Sequence, residues 1–249
     1  MIALSQLLRA LPNPTVVVTS PALTSPRLAD EIAAVIDVAG RERRSAVISI
    51  ATGKTPEGLY EEMAKRVRSG RLVLNDSLFF PLDEFVGVPP EHPASLYAFL
   101  RERLIVRTGA PECVLQQMNR HTAYEAAIAA AGGIDLVVLG IGRNGHVAFN
   151  EPGSPRDSVT REVDLAPTTR EDAAKSFGGI AHVPTRGITM GIATLLAARR
   201  VRLLAFGATK REVVRRLLDG PVDAGLPASF LREHRDFTIY LDAAAAGEA

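Results

Sequence analysis

The chain has 249 residues, of which 47% are hydrophobic, so it can bury a full core as a single α/β domain over residues 1–249. Its 29 Lys and Arg residues nearly balance 28 Asp and Glu residues, and the net charge of +1 argues against a broad nucleic-acid-binding surface. No run is apolar enough to span a membrane, and the first residues lack the pattern of a signal peptide. The single cysteine, Cys113, is typical of the reducing cytoplasm. We therefore expect a cytoplasmic protein that binds neither nucleic acid nor membrane.

Six short apolar runs alternate with segments of helical periodicity along the chain. This alternation predicts a three-layer α/β fold, in which helices cover both faces of a mostly parallel, Rossmann-like sheet. The predicted strands are Thr15–Thr19, Ala46–Ala51, Leu78–Leu82, Ile134–Ile141, Val201–Phe206 and Phe237–Leu241. Residues 1–13 are expected to form an N-terminal arm. The weakly periodic, polar segment from about 154 to 184 is typical of a lid over an enzyme site.

A glycine-rich polar stretch, GIGRNGHVAFNEPG, follows the fourth predicted strand. Its glycines allow a tight turn in which the backbone can approach a ligand closely. The turn carries Asn144, His146 and Glu151 at the carboxyl end of a strand, where open α/β sheets bind their ligands. Taken alone, His146 is explained equally well as a solvated loop histidine.

Two other strand ends have the character of an anion site. The second strand leads into Thr52, Gly53, Lys54 and Thr55 before a helix begins, and free backbone N–H groups at such a helix start attract a phosphate. The glycine spacing of a nucleotide-binding P-loop is missing, so a single phosphate on a small molecule is the better interpretation. A similar turn after the fifth strand ends in Lys210. The alternative is an ordinary capped helix start with a surface lysine.

Two adjacent carboxylates, Asp83 and Glu84, follow the third predicted strand. At least one should reach the carboxyl edge of the sheet, where partial burial would let it abstract a proton next to a carbonyl group. The alternative is that both acids cap a turn or a helix. No grouping of His, Cys and acidic residues has a zinc spacing, and no serine-hydrolase elbow is present.

Together, the motifs TGKTP, LDEFVG, GIGRNGHVAFNEPGS and ATK resemble the glucosamine-6-phosphate deaminase (isomerase) family, over about Thr15 to Asp242. The resemblance implies conversion of a sugar-phosphate partner, glucosamine 6-phosphate, to fructose 6-phosphate and ammonia without metal or organic cofactor. It implies that Asp83 is the base of the C1–C2 proton shift. His146 would open the sugar ring with the help of Glu151. The loop at 53–55 and Lys210 would bind the phosphate.

The sequence departs from the family pattern at several positions. Asn144 stands where many members have an aspartate, and it can orient His146 without adding charge. Lys175 stands where members usually have a substrate-contacting arginine, and Lys does not replace Arg at a bidentate site. Phe85 replaces a common tyrosine. Val163 stands where allosterically controlled members have a lysine, so we predict no activation by an N-acetylated sugar phosphate.

Two other functions remain open at this stage. A lactonase acting on a 6-phosphogluconate ester would use His146 to activate water, but Asp83 and Glu151 would then have no obvious task. A sugar-phosphate sensor without turnover is suggested by Asn144, Lys175 and Phe85. Glucosamine 6-phosphate is favoured over its galacto epimer, and the sequence leaves homo-oligomer formation open.

Overall fold

The computed structural model describes residues 14–118 and 121–248 and is built around a six-stranded parallel sheet. Its strands are β1 (Thr15–Val18), β2 (Ala46–Ile50), β3 (Ser77–Phe79), β5 (Leu136–Gly140), β8 (Val201–Ala205) and β9 (Phe237–Leu241), in the order β1-β9-β8-β5-β2-β3. These are the six predicted strands, with ends that differ by up to three residues. Strands β2 and β8 are buried along their whole length, as expected of apolar runs in a sheet covered on both faces. The predicted arm at 1–13 lies outside the described residues.

Helices cover both faces of this sheet. They are α1 (Pro21–Arg41), α2 (Glu57–Arg68), α3 (Leu96–Arg101), α4 (His121–Ala130), α5 (Pro167–Ala173), α6 (Ile192–Leu196), α7 (Arg211–Asp219) and α8 (Ala243–Ala246). Alternate residues of β5 enter two separate cores: Val137 and Leu139 pack with α4 and α7, whereas Leu136 and Val138 pack with α1 and α2. Each such fully buried aliphatic side chain contributes roughly 1.5–3 kcal/mol. The three-layer prediction is confirmed.

A second, three-stranded antiparallel sheet was not predicted. It consists of β4 (Asp83–Phe85), β6 (Arg161–Asp164) and β7 (Arg186–Thr189), in the order β4-β7-β6. Where a single strand was predicted at Leu78–Leu82, β3 ends at Phe79 and the chain then crosses to β4. Each strand of the small sheet has only three or four residues, and its partners are distant in sequence. Local periodicity carries too little signal to reveal such strands.

The segment at 154–184 contains β6 and α5 and packs over a small apolar cluster. The Phe85 ring lies 5.1 Å from that of Phe149 and 5.0 Å from that of Phe177, a residue of the segment. Phe85 therefore contributes to packing where the family pattern has a tyrosine. The role of the segment as a lid stays a prediction.

The order of the strands determines where a ligand site can form. From β2 the chain moves outward to β3, whereas from β5 it moves the opposite way, to β8 and β9. Neighbouring strands β2 and β5 thus flank the point of reversal, and the loops at their carboxyl ends diverge to leave a crevice. Among residues 14–118 and 121–248, no helix has both the length and the apolar character that a membrane crossing requires.

Candidate active site

A cavity of about 320 Å³ lies at the carboxyl ends of β2 and β5, a size that suits a small molecule. Its polar lining comes from five separate parts of the chain: Thr52, Gly53, Lys54 and Thr55; Asp83; His146; Asp172; and Lys210. The carboxyl group of Asp83 and the imidazole of His146 therefore open into the same cavity. A larger neighbouring cavity of about 620 Å³ shares Lys54 and Thr55 but has neither of these groups in its lining.

Asp83 is the first residue of β4, where the chain leaves the edge of the parallel sheet. The residue is only 9% exposed, and within the described part of the chain no hydrogen-bond donor reaches its carboxyl group. Burial, together with a smaller effect of the nearby charge of Glu84, raises the pKa of Asp83 from 3.8 to about 8. A carboxyl group with a pKa near the working pH and without a competing partner is suited to general base catalysis.

The neighbouring carboxylate, Glu84, caps a helix. It accepts hydrogen bonds from the backbone N–H groups of Leu96 (3.1 Å) and Tyr97 (2.9 Å) and from the hydroxyl of Ser95 (2.7 Å), all at the start of α3. The alternation of side chains along β4 turns Asp83 and Glu84 to opposite faces. The cavity interpretation thus holds for the first carboxylate and the capping interpretation for the second.

His146 lies on a tight turn after β5, closed by a hydrogen bond from Gly142 N to His146 O (2.9 Å). The imidazole lies directly over Gly142, where a Cβ atom would be 2.2 Å from the ring. Only glycine leaves room for this ring position. The Nδ1 atom is 3.5 Å from Oε2 of Glu151, whereas Nε2 has no protein partner among the described residues. The imidazole thus has one anchored nitrogen and one free nitrogen.

Glu151 is held by three donors. It accepts from Nδ2 of Asn144 (2.8 Å), the backbone N–H of Ala166 (3.1 Å) and the hydroxyl of Thr169 (2.5 Å). Burial alone would raise the pKa of Glu151, but hydrogen bonds from His146, Thr169 and Asn144 lower it to about 2. Glu151 is therefore ionised at working pH and can stabilise an imidazolium. Asn144 also accepts from the backbone N–H of His146 (3.1 Å), so it orients the turn.

Another part of the cavity lining has the features of an anion site. Within the described residues, no protein acceptor is bonded to the backbone N–H groups of residues 52–55, and Gly53 has a φ of +90°. Lys210 donates to the carbonyl of Ile141 (2.7 Å), and burial lowers the pKa of its ammonium group. In the Lys210 turn, the N–H of Gly207 is taken by the carboxylate of Asp242. The main contribution of that turn to the anion site is therefore the charged side chain of Lys210, and not its backbone N–H groups.

Asn144 and Glu151 do not line the cavity, but both contact His146, which does. Lys175 is the predicted site residue with neither role. It is exposed in the turn after α5 and does not contribute to the cavity lining. Asp172 does line the cavity, and it forms an ion pair with Arg143 (2.7 Å). Sequence reasoning missed Asp172, Arg143 and Thr169, because only the fold brings α5 against the turn after β5. No local pattern distinguishes them from ordinary helix and loop residues.

Among the described residues, no group of His, Cys, Asp and Glu side chains is arranged to hold a metal ion.

Comparison with known proteins gives a consistent assignment. The family described as glucosamine-6-phosphate isomerases/6-phosphogluconolactonase matches residues 19–240. The glucosamine-6-phosphate deaminase of Rhodopirellula baltica is 45% identical over 214 residues, which cover 83% of this chain and 85% of that protein. The glucosamine-6-phosphate deaminase of Mycolicibacterium smegmatis is 38% identical over 240 residues, which cover 93% of this chain and 90% of that protein.

Solved structures agree with the sequence relatives. A monomeric glucosamine-6-phosphate deaminase superposes with a TM-score of 0.88 at 32% identity, covering 94% of this chain and 100% of that one. The 6-phosphogluconolactonase of Trypanosoma brucei shares the fold, with a TM-score of 0.73 at 24% identity. That superposition covers 94% of this chain and 98% of the other. The chain therefore belongs to the glucosamine-6-phosphate isomerase/6-phosphogluconolactonase family.

Proposed function

We propose that the chain is an enzyme that converts glucosamine 6-phosphate and water to fructose 6-phosphate and ammonia. The observation that carries this proposal is the shared cavity: Asp83, His146 and the residues of the anion site all line one small space. The names of the relatives at 38–45% identity support the same reaction.

The first step is ring opening, because the proton on C2 becomes acidic only after C1 is a free aldehyde. Nε2 of His146 accepts the proton of the C1 hydroxyl and delivers it to the ring oxygen, so that the bond between C1 and the ring oxygen breaks. The ionised carboxylate of Glu151, 3.5 Å from Nδ1, stabilises the imidazolium formed between the two transfers.

The second step is the shift of a proton from C2 to C1. Asp83 removes the C2 proton while the C1 oxygen takes a proton from the ammonium group on C2, which gives an enolamine. Asp83 then returns its proton to C1, which leaves a protonated imine at C2. Water then adds to the imine carbon, ammonia leaves, and the ketone of fructose 6-phosphate remains. Each atom of substrate and water is found in the products, and Asp83 ends in its starting protonation state.

The anion site positions the sugar for both steps. A phosphate bound by the N–H groups of residues 52–55 and by Lys210 fixes the sugar at the end remote from C1 and C2. This interaction is present throughout the reaction and reduces the entropic cost of bringing the reacting carbons to Asp83. Roughly millimolar inorganic phosphate should therefore compete with substrate.

A lactonase acting on a 6-phosphogluconate ester is the second candidate, because the family contains both activities and both bind sugar phosphates. Lactone hydrolysis needs a base for water, which His146 could supply, but it gives no task to a second base. The buried carboxyl group of Asp83, which has no hydrogen-bond donor within residues 14–118 and 121–248, favours the isomerisation.

The test is to incubate the purified chain with glucosamine 6-phosphate and to measure ammonia and fructose 6-phosphate. We expect turnover that falls by about 10²–10⁴-fold in Asp83→Asn, the usual contribution of a general base. Galactosamine 6-phosphate and the 6-phosphogluconate lactone are offered in parallel. Faster turnover of the lactone, undiminished in Asp83→Asn, would replace the deaminase with the lactonase.

Cellular location and assembly also belong to this proposal. We place the enzyme in the cytoplasm, in keeping with its free, exposed Cys113, and cell fractionation tests that location. The absence of nucleic-acid binding, expected from the balanced charge, is checked by mobility shift. Formation of a homo-oligomer stays open to measurement by light scattering.

A further inference from the structure

Thr169 joins two groups of the candidate active site. It lies in the first turns of α5 and is only 6% exposed. Its hydroxyl oxygen is 2.5 Å from Oε1 of Glu151 and 3.3 Å from Nδ1 of His146. One buried hydroxyl group therefore bridges the imidazole and the carboxylate.

The direction of each hydrogen bond follows from the donors available. The carboxylate of Glu151 also accepts from the backbone N–H of Ala166 and from Nδ2 of Asn144, so it acts as an acceptor throughout. The single proton of the Thr169 hydroxyl must then point to Glu151, and its oxygen can only accept from His146. The neutral imidazole thus carries its proton on Nδ1.

We propose that Thr169 is a positioning residue, whose bridging hydroxyl keeps the His146 imidazole in the Nδ1–H form with Nε2 ready to accept a proton in the cavity. The catalytic part of this inference rests on the proposed deaminase function. The hydrogen-bond arrangement itself does not, because it is a property of the protein without substrate.

The position of Thr169 in the chain adds a consequence. Besides His146, three groups among the described residues donate to the carboxylate of Glu151. Two of them, from Thr169 and Ala166, belong to the segment at 154–184. Movement of α5 away from the turn after β5 would remove both donors together. The docked segment is therefore part of the hydrogen-bond arrangement that holds His146.

The kinetic test compares Thr169→Val, which removes the hydroxyl at nearly constant volume, with Thr169→Ser, which keeps it. We expect kcat to fall by about 10- to 100-fold in Thr169→Val, as for other partners of a catalytic histidine, while KM changes by less than about 3-fold. Thr169→Ser should remain within about 3-fold of the unmodified chain. In a Glu151→Gln background, Thr169→Val should cause little further loss, because the two residues act on one imidazole.

The spectroscopic test needs no turnover. In ¹⁵N-labelled full-length protein, the two ring nitrogens of His146, assigned with His146→Gln, report which one carries the proton. We expect Nδ1–H in the unmodified chain and in Thr169→Ser, and a loss of this preference in Thr169→Val.

Four results would overturn the role of Thr169: an unchanged kcat in Thr169→Val, no rescue by Thr169→Ser, full additivity with Glu151→Gln, or identical His146 spectra in all three proteins. Failure of the unmodified chain to release ammonia would instead overturn the proposed function. The ring-nitrogen spectra would still decide the hydrogen-bond arrangement in that case.

Discussion

Replacing Asp83 with asparagine is expected to stabilise the fold while it removes the reaction. The pKa of Asp83 is about 8 in the folded protein, against 3.8 for an unperturbed group. Between these two pH values the folded state retains a proton that the unfolded state has released. The free energy of unfolding therefore falls as pH rises from about 4 to about 8, and it levels off above that pH. Asparagine, which is neutral at every pH, does not incur this loss.

The size of the effect follows from the same numbers. The unperturbed pKa of 3.8 lies roughly 3 units below pH 7. At 1.36 kcal/mol per unit, the buried carboxyl group therefore lowers the free energy of unfolding at pH 7 by at most about 4 kcal/mol. Because the carboxyl group borders a cavity that admits water, we expect on the order of 2 kcal/mol. For a chain of this length, a stabilisation of that size raises Tm by about 4–8 °C.

The assay is thermal unfolding of the unmodified chain and of Asp83→Asn at several pH values between 4 and 8. Glu84→Gln is the matched control: it makes the same chemical change one residue along, but it weakens the acceptor of three α3 hydrogen bonds and should destabilise by about 1–3 kcal/mol. Equal Tm values for Asp83→Asn and the unmodified chain at pH 8, or a gain as large at pH 4, would refute the reasoning.

Three other predictions test the cavity. Inorganic phosphate should raise the Tm of the unmodified chain in a thermal shift assay but not that of Lys210→Met. The control variant Lys175→Met, which lies outside the cavity, should show the same rise as the unmodified chain. The same rise in Lys210→Met would contradict the anion site. Gly142→Ala places a Cβ atom 2.2 Å from the imidazole of His146, so kcat should fall at least about 10-fold while the thermal response to phosphate persists. Asp172→Asn removes a negative charge from the cavity and should tighten phosphate binding about 3-fold by calorimetry, with less effect at 1 M salt. Unchanged binding would show that Asp172 does not face the anion.

Much of the parallel sheet could be predicted because its strands are local signals. A run such as Leu136–Val138 is apolar on both faces in any three-layer fold, and the glycines after it mark its end whatever its neighbours are. The glycine-rich turns could be placed at the carboxyl edge for the same reason, since all parallel strands end on one side. This is why the sequence alone predicts that Asp83, His146 and Lys210 lie close together.

The separation of Asp83 from Glu84 could not be predicted. Both are acids on one short strand, and the sequence allows either to face the cavity. The pairing of Asp83 with Thr189, more than a hundred residues away, fixes the register of β4 and so turns Asp83 inward. A slip of one residue would exchange their roles.

By itself, the sequence determined the layer architecture, the edge at which ligands bind and the residue types available there, because strand ends and glycine turns are encoded within a few neighbouring positions. Only the tertiary structure decided which carboxylate is buried with no donor from the described part of the chain, that Thr169 bridges His146 and Glu151, and that Lys175 lies outside the cavity. These features depend on burial and on contacts between distant segments. Both arise only when α5 and the small sheet pack against the parallel one.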